Sequence, residues 1–201
     1  MTRLEVINAM LSSVGQLPVS TLDSTHPFVT TTRAVLDSVD KHVQAVGWWF
    51  NKDFNISLSP DASGNIVLPT TVLTVDPVQP NIPYLQRGGK LYDPYRSSST
   101  FTEAVVVNLI SLLDFEEIPE PAAMYIKRRA VLEYFLDFDG EKIKMEYLGS
   151  LMEESKSALY AEQMRIKRAN VSSNPQYRLL VGRFATPSDG RIGTGRGWYG
   201  K

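Results

Sequence analysis

The chain has 201 residues, with 21 basic and 22 acidic side chains, 43% hydrophobic residues and no cysteine. A chain of this length can bury a hydrophobic core without metal or disulfide cross-links. The composition excludes disulfides, thiolate zinc sites and cysteine nucleophiles, and the sequence shows neither a signal peptide nor the roughly 18 apolar residues of a membrane span.

The N-terminal segment predicts an amphipathic helix over 3–14. Thr2 and Glu5 have the spacing of a capping box, and Gly15 can adopt the left-handed conformation that ends a helix. Apolar side chains recur at helical spacing between these two signals. They are Leu4, Ile7, Leu11 and Val14.

A second amphipathic helix is predicted over 26–46. Ser24 or Thr25 can cap it, Pro27 suits its first turn, and Gly47 ends it. Two helices joined by a loop of about ten residues favour an antiparallel packed pair. The predicted buried stripe of the second helix consists of Val35, Val39, Val43 and Val46.

Residues 48–115 are rich in β-branched and aromatic residues, and Pro, Gly and Asn interrupt them. This composition predicts at least four short strands, including one near 104–112. The sharpest local signal is Gly88-Gly89, which lies between two runs that contain Tyr and Leu. It predicts a tight hairpin in which 84–87 pairs with 90–93.

Helix returns after residue 120, and the sequence predicts helices over 121–138 and 141–169. Glu120 and Pro121 suit the start of the first of these helices, and Asp139-Gly140 suits a turn between them. The predicted stripe of the long helix consists of Leu148, Met152, Ser155, Leu159 and Ile166.

These elements together predict an α+β fold with three parts. A helical bundle comprises 1–47 and 116–170, and a β-rich insertion comprises 48–115. Residues 171–201 contain mainly Ser, Asn, Pro, Gly and Arg without apolar periodicity, so they predict an extended basic tail.

Charge is unevenly distributed along the chain. Residues 103–162 hold six basic and thirteen acidic side chains, whereas residues 163–201 hold eight basic and one acidic. The tail is either a solvated basic end or a segment that docks on an acidic partner or on nucleic acid. On the long helix, Glu153, Glu154 and Lys156 suit ion pairs between subunits.

No motif predicts catalysis, a cofactor or a metal. The stretch GRGWYG, 195–200, has the spacing G-x-G-x-x-G, but only Lys201 follows it, so we expect no dinucleotide site. His26 and His42 lack metal-ligand spacing. The adjacent carboxylates of Glu116 and Glu117 point apart and rarely flank one scissile bond.

The tail instead carries the residue types that dominate interface hot spots, because Arg, Trp and Tyr combine charge with large contact area. Its glycines let the backbone approach another surface closely. We expect the tail to contact a partner through Arg183, Arg191, Arg196, Trp198 and Tyr199.

Four segments occur in an order and spacing that resemble one family, tail tubular protein A, the adaptor of short-tailed bacteriophages. The resemblance extends over about 5–135. The segments are INAMLSSVGQLPVSTL at 7–22, GWWFN at 47–51, RGGKLYD at 87–93 and LLDFEEIPE at 112–120.

The resemblance implies a non-enzymatic part of the virion tail at the head–tail junction, assembled in the host cytoplasm. Members of this family form a twelve-fold ring between the portal and the tail nozzle, and the nozzle is formed by tail tubular protein B. DNA passes through the channel without specific binding, and no cofactor or membrane is involved. The helices would form the ring wall, and the basic tail would contact the portal.

The β insertion would then face the nozzle or the tail fibres. On this interpretation, the hairpin residues Arg87, Gly88, Gly89, Lys90 and Tyr92 contact one of these partners. An acidic helical body suits a DNA channel, because a wall rich in Lys and Arg would bind phosphates through counterion release.

Two other function classes stay open from the sequence. A nucleic-acid-binding module would use the basic tail and the RGG hairpin, and salt-dependent DNA binding would identify it. A peptidoglycan-degrading tail enzyme would need a pair of carboxylates in a cleft, for which the sequence gives no indication.

Overall fold

The computed structural model describes residues 1–23, 26–78, 83–138 and 140–173. Residues Met1–Gln163 form one compact unit. Helices and strands occur together in the described residues, so the predicted α+β class is confirmed. The elements are α1 Arg3–Ser13, α2 Val29–Gln44, β1 Lys52–Leu58, β2 Val72–Pro77, β3 Leu85–Arg87, β4 Lys90–Tyr92, β5 Val105–Ser111, α3 Glu120–Phe138 and α4 Lys142–Ser173.

Helix α1 begins with the predicted capping box. Glu5 N donates to Thr2 Oγ1 at 3.3 Å, and Thr2 N donates to Glu5 Oε2 at 2.9 Å. These bonds satisfy two backbone donors that a helix start leaves open. The chain leaves the helix through Gly15, whose φ is +74°.

Helix α2 begins at Val29, so the predicted start at 26 is wrong, as are the caps Ser24 or Thr25 and a first-turn Pro27. The residue before the helix is Phe28, which makes no side-chain capping bond. Its ring packs edge-on against Phe138, with centroids 5.3 Å apart. A local turn precedes the helix, in which His26 O accepts from Val29 N at 3.1 Å and His26 Nδ1 accepts from Phe28 N at 3.3 Å.

The far end of α2 also differs from its prediction. The helix ends at Gln44, and Val46 lies beyond it with 59% of its surface exposed. Val46 is therefore not part of the buried stripe, although Val39 and Val43 are buried as predicted. Gly47 has a φ of +80° and turns the chain toward β1.

The helical core lies among α1, α2 and α3, and Leu159 of α4 also belongs to it. Trp48 and Phe115 belong to it, so both ends of the 48–115 segment are built into the helical core. The largest side chains with no exposed surface in this core are Ile7, Met10, Leu11, Leu36, Phe115, Ile126, Tyr134 and Leu159. The division into a helical bundle, 1–47 with 116–170, and a β-rich insertion, 48–115, stays a proposal.

Strand β5 is the centre of a three-stranded antiparallel sheet with the order β1-β5-β2. Val107 pairs with Ile56 on one side and with Pro77 on the other. The predicted strand near 104–112 is therefore confirmed. One face of this sheet packs on a second core, formed by Ile66, Leu68, Val72, Val75, Leu91, Phe101, Val107 and Leu109.

Helix α4 extends through Ser173, four residues beyond its predicted end. Its buried side carries Ser155 and Leu159, with Leu148 and Met152 packed against the helical core. The predicted stripe is confirmed at these four positions. Tyr160 contacts Trp48 edge-on, with ring centroids 5.2 Å apart.

Candidate partner-binding surfaces

The side chain of Gln44 joins α2 to the segment that follows β5. Its Nε2 donates to Leu113 O at 3.0 Å, and its Oε1 accepts from Leu113 N at 2.9 Å. Nε2 also donates to Asp40 Oδ1 at 2.8 Å. Gln44 is fully buried, and it pairs with the Leu113 backbone as a neighbouring β-strand would.

Asn51 adds a second clamp at the same junction. Its Nδ2 donates to Gln44 O at 2.8 Å and to Ser111 O at 2.9 Å. Its Oδ1 accepts from Trp48 N at 2.8 Å. The motif GWWFN therefore encodes a joint that fixes the sheet to the helical core. Sequence reasoning quoted this motif but did not identify the role of Asn51.

An ionic cluster lies next to this joint. Arg3 donates to Asp37, and its second terminal nitrogen lies 3.6 Å from Asp40 Oδ2. The side chain of Asp40 is only 3% exposed. Burial raises the pKa of Asp40, although the hydrogen bond from Gln44 and the charge of Arg3 act in the opposite direction.

The predicted hairpin is confirmed. Leu85 pairs with Tyr92, and Arg87 pairs with Lys90. The φ angles of Gly88 and Gly89, +58° and +72°, are positive, as a type I′ turn requires at both central residues.

The hairpin is anchored through Leu91, whereas Arg87, Gly88 and Gly89 are exposed. Leu91 is fully buried, and its N–H donates to Ile66 O at 2.9 Å. The Arg87 guanidinium lies over the Tyr92 ring, 3.9 Å from the centroid. The predicted residues Arg87, Gly88, Gly89, Lys90 and Tyr92 thus lie together in one hairpin, and we call residues 87–92 the hairpin tip.

The predicted tail contacts lie outside the described residues. They are Arg183, Arg191, Arg196, Trp198 and Tyr199. Their proposed role therefore depends on the sequence alone.

Sequence reasoning missed a rigid loop that spans 93–98. Asp93 and Ser98 exchange backbone hydrogen bonds of 2.8 and 3.2 Å. Asp93 Oδ1 accepts from the N–H groups of Tyr95 and Arg96, whose residues are mostly exposed. An open cavity of about 380 Å³ lies beside the loop. Exposed Tyr and Arg on such a loop are typical of interface hot spots. The signal in the sequence was Asp93-Pro94, which favours a turn, followed by the serines at 97–99.

Helix α4 presents another surface that the sequence prediction missed. Ile143 and Tyr147 are 77% and 61% exposed and lie one turn apart. Within one chain, Lys156 Nζ lies 3.2 Å from Glu153 on the same helix, and the ion pairs expected between subunits stay a prediction. The i, i+4 spacing of Ile143 and Tyr147 could have identified this surface.

Residues 1–23, 26–78, 83–138 and 140–173 contain no group of three or more His, Asp or Glu side chains that could hold a metal ion. Across the same ranges, no helix combines the length and the apolar character that crossing a membrane requires.

Comparison with known proteins identifies the family. The tail tubular protein family matches residues 4–173, which include all nine described helices and strands except Arg3 of α1. Tail tubular protein A of Klebsiella phage KP34 is 28% identical over 173 residues, which cover 86% of this chain and 92% of that protein. The chain belongs to the tail tubular protein family and is a structural component of a phage tail.

Proposed function

We propose that this protein is the adaptor between the portal and the tail nozzle, and that it works as a closed, twelve-fold ring around a DNA channel. The observation that carries the proposal is the family match, which spans the helices and the sheet together. The twelve-fold symmetry follows from the resemblance to tail tubular protein A. An adaptor needs a shape and surfaces that fit its two partners, and this role involves no catalysis.

The joint at Gln44 and Asn51 supports this role. An adaptor must hold one partner at a fixed position relative to another, so its two parts cannot swing freely. Four side-chain hydrogen bonds of 2.8–3.0 Å link the end of α2, the segment at Asn51 and the end of the sheet at this point. Buried, fully satisfied polar networks of this kind specify a single arrangement.

The acidic character of the helical part supports a DNA channel. Residues 103–162 carry thirteen acidic and six basic side chains. A wall with this charge repels phosphates, so DNA can slide without binding. Four acidic residues lie just before or at the start of α3, where the helix dipole favours negative charge. They are Asp114, Glu116, Glu117 and Glu120.

Two surfaces are proposed to meet the other tail proteins. The hairpin tip at 87–92 would contact the nozzle, tail tubular protein B, or a tail fibre, and the 93–98 loop lies next to it in sequence. The basic tail at 171–201 would contact the portal. Arg and aromatic residues on both segments suit interface anchors.

The proposal is tested by the mass and the image of the purified full-length protein. We expect native mass spectrometry to show a discrete closed oligomer and negative-stain images to show rings with a central opening. A monomer or a two-fold dimer as the only assembled species, alone and with the portal, would contradict it. Tight, salt-dependent DNA binding by the isolated protein would favour the nucleic-acid-binding alternative.

A further inference from the structure

Helix α4 carries apolar side chains on two different sides. Because a helix turns about 100° per residue, Leu148, Met152 and Leu159 share one side, and they pack on the helical core. Ile143 and Tyr147 point to another side, about 140° around the axis, where they are largely exposed. A large exposed apolar pair on a helix that already buries one face indicates a second contact.

Two carboxylates accompany this exposed pair. Glu146 precedes Tyr147, and Glu154 lies two turns further along, about 12 Å away. Both are exposed, and neither makes an ion pair or a hydrogen bond with its side chain in the described part of the chain. The outer side of α4 is therefore an apolar protrusion with two unpaired carboxylates beside it, and the exposed Lys142 lies one turn before Glu146.

A groove that carries basic instead of acidic side chains next to apolar ones lies beside the C-terminal end of α2. Its volume is about 530 Å³, and it is lined by Ser38, Lys41, His42, Ala45, Val46 and Leu73. Val46 provides an exposed apolar wall. The side chains of Lys41 and His42 are exposed and make no hydrogen bond or ion pair within the described ranges.

We propose that Ile143 and Tyr147 of one copy insert into the α2 groove of the next copy, so that Glu146 and Glu154 face Lys41 and His42. The inference rests on the proposed ring and names the surfaces that form it. The apolar protrusion and the groove are both exposed on the same subunit, so they do not bind each other within one copy. A protrusion and a groove at different places make a head-to-tail contact, which closes into a ring when the rotation permits.

Charge reversal tests the pairing. We expect the Glu146→Lys, Glu154→Lys double variant to weaken self-association at least tenfold in sedimentation at several concentrations. Adding Lys41→Glu and His42→Glu to the same chain should restore association, because the two introduced lysines then face two glutamates. The matched control is Asp23→Lys, Asp53→Lys, which makes the same change in net charge at two other exposed residues. Equal weakening by the control, or no recovery in the fourfold variant, would overturn the inference.

A cross-linking experiment tests the geometry without depending on charge. The chain has no cysteine, so Ser38→Cys in the groove and Ser150→Cys one turn beyond Tyr147 can be introduced alone or together. A short bismaleimide should convert the double variant into a ladder of multimers, whereas either single variant should stay monomeric on a denaturing gel. Equal amounts of the two single variants, mixed and reassembled, should give dimers only.

The outcomes separate this inference from the proposed function. Dimers from Ser150→Cys alone would show a two-fold contact and would overturn the inference. A wild-type ring whose double-cysteine variant assembles but does not cross-link would also overturn it and would leave the proposed ring intact. Absence of any wild-type oligomer, with or without the portal, would overturn both.

Discussion

Gln44 and Leu113 exchange two hydrogen bonds although 69 positions separate them in the sequence. A side-chain amide has the same donor and acceptor as a peptide group, so Gln44 can pair with the Leu113 backbone as a strand residue would. This pairing holds together two points of the chain: the end of α2, where the chain leaves the helical core, and the segment before α3, where it returns. The arrangement explains why a fully buried glutamine lies at the end of α2.

Replacing Gln44 with Ala should strongly destabilise the protein. The substitution leaves the N–H and the C=O of Leu113 without these partners, and each unsatisfied buried polar group costs about 1–3 kcal/mol. We expect the free energy of unfolding to fall by about 2–4 kcal/mol in urea denaturation. Gln86→Ala, on the exposed strand β3, is the matched control and should change it by less than about 0.5 kcal/mol. Similar losses in the two variants would contradict the role of the joint.

Substitution of Gly47 by Ala tests the turn that follows α2. A Cβ at this position would lie 2.5 Å from Ile110 Cδ1, and Ile110 is buried. Gly15 has a similar φ of +74°, but a Cβ there would have no atom within 4 Å. Both alanine variants carry the left-handed backbone penalty, whereas only Gly47→Ala adds overpacking, so it should lose about 1–3 kcal/mol more stability. Equal melting temperatures for the two variants would show that Ile110 moves aside freely.

Local signals in the sequence predicted those parts of the fold that depend on local contacts. The start of α1 was correct because Thr2 and Glu5 lie three residues apart and cap each other. The hairpin was correct because Gly88 and Gly89 alone supply the positive φ angles of its turn.

Features that depend on distant contacts could not be predicted in this way. The contact that Phe28, just before α2, makes with Phe138 was not predicted, because 110 positions separate the two residues. The partners of Gln44 lie on a segment whose position depends on how the sheet folds back. The residues of the hairpin were correctly brought together from sequence. The α4 surface and the 93–98 loop each had a local signal that was not used, and that their side chains stay exposed depends on how the core packs.

The stability of the protein should depend on pH through Asp40. Because burial raises the pKa of this carboxyl above 3.8, the folded state binds the proton more tightly than the unfolded chain does. The contribution to stability is complete below pH 3.8 and is lost as the pH rises through the folded pKa. Asp40→Asn keeps an acceptor for Gln44 and removes this titration.

Urea denaturation of the wild type and of Asp40→Asn over a pH series checks this expectation. The stability of the wild type relative to the variant should decline as the pH rises from about 3.8 and then become constant. Asp137→Asn, at an exposed position of α3, supplies the control. A stability difference that is the same at every pH would mean that folding does not change the proton affinity of Asp40.

Arg87→Ala should separate binding from folding at the hairpin tip. Arg87 is exposed and stacks on the half-buried Tyr92, so loss of this contact should change the free energy of unfolding by about 1 kcal/mol or less. Binding to the isolated nozzle protein, measured by interferometry, should weaken about tenfold or more, because Arg at an interface centre contributes at least about 1.4 kcal/mol. Arg33→Ala on α2 is the control. Unchanged binding to both the nozzle and the fibre would exclude the tip as a contact.

Removal of residues 190–201 should weaken attachment to the portal and leave the helical core folded. The deleted segment contains Arg191, Arg196, Trp198 and Tyr199, and burial of one large aromatic side chain contributes about 1.5–3 kcal/mol. The core lies within Met1–Gln163, so the melting temperature and the oligomeric mass should match those of the full chain. Sedimentation with purified portal should show a loss of affinity of tenfold or more, and Trp198→Ala, Tyr199→Ala should reproduce most of it. A truncated ring that binds the portal with full affinity would show that the tail is a solvated basic end and that another surface of the ring makes this contact.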